Sequence, residues 1–149
     1  MILVDSNLLL YAVNQDLPVH EEARTWLETV FSSGGIVGLP WVVLLGFLRV
    51  STNPRVFKAP LSVEVANDYI SEWTSIPTVR LISPGPGHWS ILSQLLKITG
   101  TAGNLTTDAH IASLAIEHGA TVCSADNDFR RFVGVNYLNP LTHQGGPTN

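Results

Sequence analysis

Short apolar runs alternate with stretches of helical periodicity along most of the chain. Met1 to Val4 is continuously apolar, the pattern of a strand buried on both faces. Ala23, Trp26, Leu27 and Val30 recur at helical spacing and predict a helix from Pro18 to Phe31, ended by Gly34 and Gly35. Ile36 to Leu39 reads as a second strand, with Pro40 in the first turn of a helix that continues through Val42 to Val50. Ser62 opens another helix, with Glu64 in its first turn and Val65, Tyr69 and Ile70 on one face. Val79 to Ile82 is a third strand, closed by the turn-rich Ser83-Pro-Gly-Pro-Gly87. Trp89 to Ile98 is helical and stops at Gly100. Thr106 or Thr107 caps a further helix, which runs through Ile111, Leu114 and Ala115 to Gly119. Thr121 to Ser124 is a fourth strand. The order β-α-β-α-α-β-α-α-β is that of βαβ units, an α/β fold around a parallel sheet.

With 149 residues, 45% of them hydrophobic and 13% charged, the chain has one core and is far from the composition of a disordered protein. Residues 1–141 read as a single domain, and the polar, Gly-rich stretch Thr142 to Asn149 as a frayed tail. So low a charge content suggests a surface partly covered by a partner. The formal net charge of −4 excludes a uniformly cationic nucleic-acid coat and leaves a local basic patch open. Cys123 is the only cysteine and has no intrachain disulfide partner, which suits a reducing compartment. Asp5 interrupts the apolar N-terminus, where no basic segment precedes it, and the apolar run Trp41 to Leu48 is too short to span a bilayer. The expectation is a soluble cytoplasmic protein.

The chain has only twelve acidic residues, so their placement is informative. Asp5 directly follows the first strand, and Asp126 and Asp128 follow the fourth after Ala125. Functional groups of open parallel sheets collect at the carboxyl ends of strands. Asp108, in the first turn of its helix, points toward the preceding loop. Taken singly, Asp5 and Asp108 are a turn residue and a dipole complement. Asp128 reads as the cap of a turn entering Phe129 to Phe132. Together with Asp126, however, Asp5 and Asp108 form a strand-end pattern that points to a site. Clustered carboxylates raise one another's pKa unless a cation neutralises them, and an all-oxygen set suits Mg²⁺ or Mn²⁺. Such a site supports metal-assisted attack of water on a phosphodiester.

The opening Met-Ile-Leu-Val-Asp5-Ser-Asn-Leu-Leu-Leu-Tyr-Ala12 resembles the N-terminus of PIN-domain ribonucleases. Thr107-Asp108-Ala-His-Ile-Ala-Ser-Leu-Ala115, followed by Gly119-Ala-Thr-Val-Cys-Ser-Ala-Asp126-Asn-Asp-Phe129, resembles that family's second signature. Leu39 to Arg49 and Thr52 to Phe57 are similar to the VapC toxin branch. The resemblance covers nearly the whole chain. It implies a three-layer α/β/α sandwich and a Mg²⁺-dependent endoribonuclease acting on structured RNA such as tRNA or rRNA. It also implies neutralisation by a VapB-type antitoxin and homodimerisation through helices in the middle of the chain. Asp5, Asp108 and Asp126 match the family's acidic positions as metal ligands and catalytic residues, with Asp128 as an adjunct and Ser6 or Asn7 orienting water or metal. The antitoxin segment is expected along the helices Pro18–Phe31 and Pro40–Val50, where Trp26, Phe31, Trp41 and Phe47 form an apolar surface.

One position departs from the family. A Glu usually lies on the helix after the second strand, and the matching residue here is Gly46, with no acid anywhere between Glu28 and Glu64. That acid-free window holds Arg49, Arg55 and Lys58, which form either a phosphate-tracking patch or a solvated surface. Arg130 and Arg131 either contact phosphate or balance Asp126 and Asp128. The histidines show no metal-binding spacing, and His110, off the helical face of Asp108, reads as structural. Two other functions compete. A catalytically silent PIN domain, binding only RNA or its antitoxin, is motivated by Gly46. An Asp-nucleophile phosphatase of the haloacid-dehalogenase type is disfavoured by Asn7, which stands where that class has a second Asp.

Overall fold

The computed structural model describes residues 1–141, and the expected tail at 142–149 lies outside the described residues. Five strands, β1 (Ile2–Val4), β2 (Val37–Pro40), β3 (Val79–Ile82), β4 (Thr121–Cys123) and β5 (Asn136–Leu138), form one sheet in the order β3-β2-β1-β4-β5. Every pairing is parallel. The helices are α1 (Ser6–Val13), α2 (His20–Ser32), α3 (Trp41–Ser51), α4 (Val63–Ser75), α5 (His88–Thr99) and α6 (Thr106–His118). The chain steps from β1 outward through β2 to β3, then crosses back to β4. Right-handed crossovers therefore place α5 and α6 on the face opposite α1 to α4. Accordingly α1 packs on α2 and α3, α3 on α4, and α5 on α6. This is a PIN-like three-layer α/β/α fold.

Two elements had no counterpart in the sequence reading. Helix α1 follows β1 at once, with Asp5 as its N-cap, and buries Leu8, Leu9 and Ala12. Strand β5 is a short edge strand paired to β4. The boundaries of other elements also differ. Helix α2 starts at His20 rather than Pro18, and Pro40 ends β2 and occupies the N-cap of α3 rather than its first turn. Neither Thr106 nor Thr107 caps α6: the N-cap is Leu105, and the Thr106 hydroxyl donates instead to the Gly103 carbonyl at 2.8 Å. The expected stops at Gly100 and Gly119 hold, both in the left-handed conformation that glycine adopts without strain.

Leu3, Val4, Leu39 and Val122 form the buried centre of the sheet. Gly38, facing Leu3 across the β1–β2 register, is required by packing: a Cβ there would drive into the Leu3 and Ile82 side chains. Phe47 is fully buried, with ring edges against Trp73 at 4.9 Å and Tyr69 at 6.4 Å between centroids, and so ties α3 to α4. It is a core residue and contributes nothing to an exposed groove, contrary to expectation. Among the described residues, no helix is long and apolar enough to cross a membrane.

Candidate metal centre

The site is built at the carboxyl ends of β1 and β4, which are neighbours in the sheet. Asp5 leaves β1 with its backbone N–H bonded to the Cys123 carbonyl of β4 at 2.9 Å, so the two strand ends are in register. The residue is buried, only 6% exposed. Oδ1 accepts the Ser6 N–H at 2.7 Å, and Oδ2 accepts the Ser124 hydroxyl at 2.7 Å and the Asn7 amide at 3.3 Å. Ser124 in turn accepts from Asn7 Nδ2 and from the Asp126 N–H, both at 3.0 Å. Asn7 closes the frame by accepting the Ala125 N–H at 3.2 Å. Ser124, which the sequence reading placed only as a strand end, is therefore the hub that joins Asp5 to the Asp126 turn.

Beyond β4 the chain makes a short 3-10 turn, Asn127–Arg131, capped by Asp126, whose Oδ1 accepts the Asp128 N–H at 2.8 Å. The cap role expected of Asp128 belongs to Asp126. Asp128 is instead exposed and joins Asp108 and Asp126 in a group whose ligand oxygens all lie within 4.8 Å of one another. Asp5 stands outside that group, yet Asp126 raises its pKa and its own charge raises that of Asp108. Burial is the largest cause of the upward shift of Asp5, opposed by the hydrogen bonds from Ser124 and Ser6. The Asp108 carboxyl is pushed up to about 7, first by burial and then by the charges of Asp5, Asp126 and Asp128. Crowded carboxylates of this kind are what a hard divalent cation neutralises, and an all-oxygen donor set fits Mg²⁺ or Mn²⁺.

Gly46 lies on α3 facing this frame: a Cβ there would sit 3.7 Å from the Cβ and Oγ of Ser6, an ordinary contact. Arg49 lies in the last turn of α3, while Arg55 and Lys58 follow in the next loop, all three exposed. Arg130 and Arg131 lie on the 3-10 turn beside the acids, with the Arg130 guanidinium 5.9 Å from the centre of the Tyr137 ring. The Tyr137 hydroxyl donates to the Ser124 carbonyl at 3.2 Å and to Asn127 Oδ1 at 3.1 Å. Among the described residues, none of these five cations forms a salt bridge.

Residues 2–135 match the PIN domain family. Ribonuclease VapC37 of Mycobacterium tuberculosis is 41% identical over 140 residues, 94% of this chain and 97% of that protein. Ribonuclease VapC33 of the same organism is 43% identical over 141 residues, 95% and 99% of the two chains. Among solved structures, VapBC2 from Rickettsia felis, bound to a DNA fragment from its promoter, aligns with a TM-score of 0.66 at 21% identity, over 93% of this chain and 98% of that one. FitAB bound to a DNA fragment aligns with a TM-score of 0.68 at 19% identity, over 95% and 96%. These structures share the fold, and the sequence relatives cover the chain almost from end to end. The chain belongs to the PIN domain family and, within it, to the VapC ribonuclease branch.

Proposed function

We propose that the protein is the toxin of a type II toxin–antitoxin pair, a divalent-metal-dependent endoribonuclease that cuts structured RNA, tRNA or rRNA, in the cytoplasm. The observation that carries this reading is the convergence of Asp108, Asp126 and Asp128 at the carboxyl edge of a parallel sheet. Asp108, Asp126 and Asp128 would hold Mg²⁺ or Mn²⁺, with Asp5 behind them as ligand or charge partner. The bound cation supplies an activated water and offsets charge on the phosphorus. Ser124 and Asn7 hold the Asp5 carboxylate in one orientation, and Ser6 lines the same frame. Arg130, beside the acids, and Arg49, Arg55 and Lys58 would take the RNA backbone. The test is RNA cleavage with and without Mg²⁺, in the native chain and in Asp108→Asn and Asp126→Asn. Loss in both variants with the fold intact is expected, and undiminished cleavage in either would place the chemistry elsewhere.

A VapB-type antitoxin is the proposed inhibitor. The groove it would fill runs between α2 and α4, lined by Leu27, Glu28, Phe31, Tyr69, Glu72 and Trp73. That is one helix removed from the expected α2–α3 surface, because Phe47 of α3 is buried beneath it. Trp41 and Leu45, one turn apart on α3 and 50% and 60% exposed, offer mid-chain apolar surface for a homodimer.

One observation favours a second reading, a silent PIN domain: Gly46 faces Ser6 where the family usually carries a Glu. The phosphatase alternative fares worse. Asp5 is buried with both oxygens engaged in hydrogen bonds, an unsuitable state for a nucleophile.

A further inference from the structure

The turn after β4 supplies Asp126 and Asp128, two of the three clustered carboxylates, and Asp128 is exposed. A side chain of the edge strand β5 braces that turn. Tyr137 pairs with Val122 of β4, and its phenol reaches past the end of that strand. The hydroxyl lies 3.2 Å from the Ser124 carbonyl oxygen and 3.1 Å from Asn127 Oδ1, and shares its single proton between them. Ser124 stands two residues before Asp126, and Asn127 separates Asp126 from Asp128. One hydroxyl therefore grips the chain on both sides of Asp126.

The ring engages the same turn. It stacks on the fully buried Phe129, with centroids 6.0 Å apart and planes at 17°. The Arg130 guanidinium lies 5.9 Å from the ring centre, within reach of the attraction between a cation and an aromatic face. Nothing local in the sequence marks Tyr137, because it meets the turn only through the pairing of β5 with β4.

We propose that Tyr137 is a positioning residue of the acidic centre: its hydroxyl holds the Asp126–Asp128 turn in the metal-binding arrangement, and its ring holds Arg130 beside the acids for RNA phosphate. This role rests on the metal-dependent ribonuclease reading above. Tyr137 acts through Asn127 and Arg130 and is not itself a ligand. Three carboxylates bind a cation most tightly when they already stand in place. A turn free to rearrange must be ordered at the moment of binding, and that cost comes out of the affinity.

Mn²⁺ binding to the full chain is measured by calorimetry in the native protein, in Tyr137→Phe, in Asn127→Ala and in the double variant. Tyr137→Phe keeps the ring on Phe129 and loses only the hydroxyl. Its Mn²⁺ affinity is expected to drop by the worth of one neutral hydrogen bond, roughly 2- to 10-fold. Asn127→Ala is expected to weaken binding too, and the double variant by less than the two losses combined. The ring is read through RNA cleavage at saturating Mn²⁺. Tyr137→Leu and Arg130→Gln are each expected to raise KM, with no further rise when they are joined.

Native Mn²⁺ affinity in Tyr137→Phe overturns the proposal even where its melting temperature falls, since a merely structural hydroxyl lowers stability alone. Losses that simply add in the double variant overturn it as well. A KM that rises in Arg130→Gln but not in Tyr137→Leu removes the ring from it. A native chain that takes up no Mn²⁺ overturns the metal reading itself, and this role with it. Should Tyr137→Leu fail to fold, the titration of Tyr137→Phe still decides.

Discussion

Ser124 donates a 2.7 Å hydrogen bond to Asp5 across 119 residues of sequence, joining the ends of two adjacent parallel strands. The bond opposes the burial that raises the Asp5 pKa. Ser124→Ala leaves Oδ2 with only the longer Asn7 contact. A hydrogen bond to a charged group is worth about 1.5–3 kcal/mol, and urea unfolding is expected to show a loss of that order. Ser124→Thr, which keeps the hydroxyl, is expected to recover most of it. A Ser124→Ala protein as stable as the native chain would remove Ser124 from the frame.

The Asp108 carboxyl, pushed up to about 7 from 3.8, gives the metal-free protein a defined pH response. An acid whose folded pKa is raised stabilises the fold fully below its unfolded value, and that contribution is lost as pH rises through the folded one. Metal-free melting temperatures are therefore expected to fall between 3.8 and about 7 through this group, and Asp108→Asn to flatten that slope. Mn²⁺ must displace the same proton, so its affinity is expected to climb across the upper part of this window and level off above it. Calorimetry at a series of pH values checks both trends, and a pH-independent Mn²⁺ affinity would remove Asp108 from the ligand set.

A Cβ added at Gly46 meets nothing closer than Ser6, at 3.7 Å. Gly46→Glu removes a helix-interior glycine, a gain of roughly 0.5–1 kcal/mol, and brings a carboxylate toward the acids. Tighter Mn²⁺ binding and faster RNA cleavage are expected. A folded variant with unchanged metal affinity would show that this position is not where the family's Glu acts.

Gly38 offers the opposite case. An added methyl meets Leu3 and Ile82 inside the sheet, so Gly38→Ala is expected to cost about 1–3 kcal/mol by overpacking. Thermal unfolding measures it. An unperturbed melting temperature would show that the sheet opens more easily than its packing implies.

For the antitoxin, hydrogen exchange of the complex is expected to slow in α2 and α4, whose side chains line the groove. Protection confined to α5 and α6 would move the partner to the other face.

The four strands and five helices read from the sequence each carried a local signal, an apolar run or a turn-bounded period. Helix α1 did not, because Leu8, Leu9, Leu10 and Tyr11 follow one another without a period, and the helix packs against α2 and α3. Strand β5 is three residues long with two of them exposed, and only its pairing to β4 makes it a strand. The acids were legible because strand ends are marked by where apolar runs stop. Which of Asp126 and Asp128 caps the turn was not, since either satisfies the same local pattern. The role of Ser124 arises from contacts between elements far apart in sequence, and no local rule reaches it.

Strand β1 lies at the middle of the sheet, and its neighbour β4 is not made until some 120 residues later, a separation of 119 between Ile2 and Thr121. A ribosome that has synthesised β1, β2 and β3 has released Asp5 and most of one helical layer, but neither Asp126 nor Asp128. On the proposed reading, a chain cut short at that stage is harmless to the cell producing it. On the same reading the acidic cluster is completed only by the last sixth of the polypeptide, while every residue that lines the α2–α4 groove lies before residue 77. An inhibitor that recognises that groove can be in place before there is anything to inhibit.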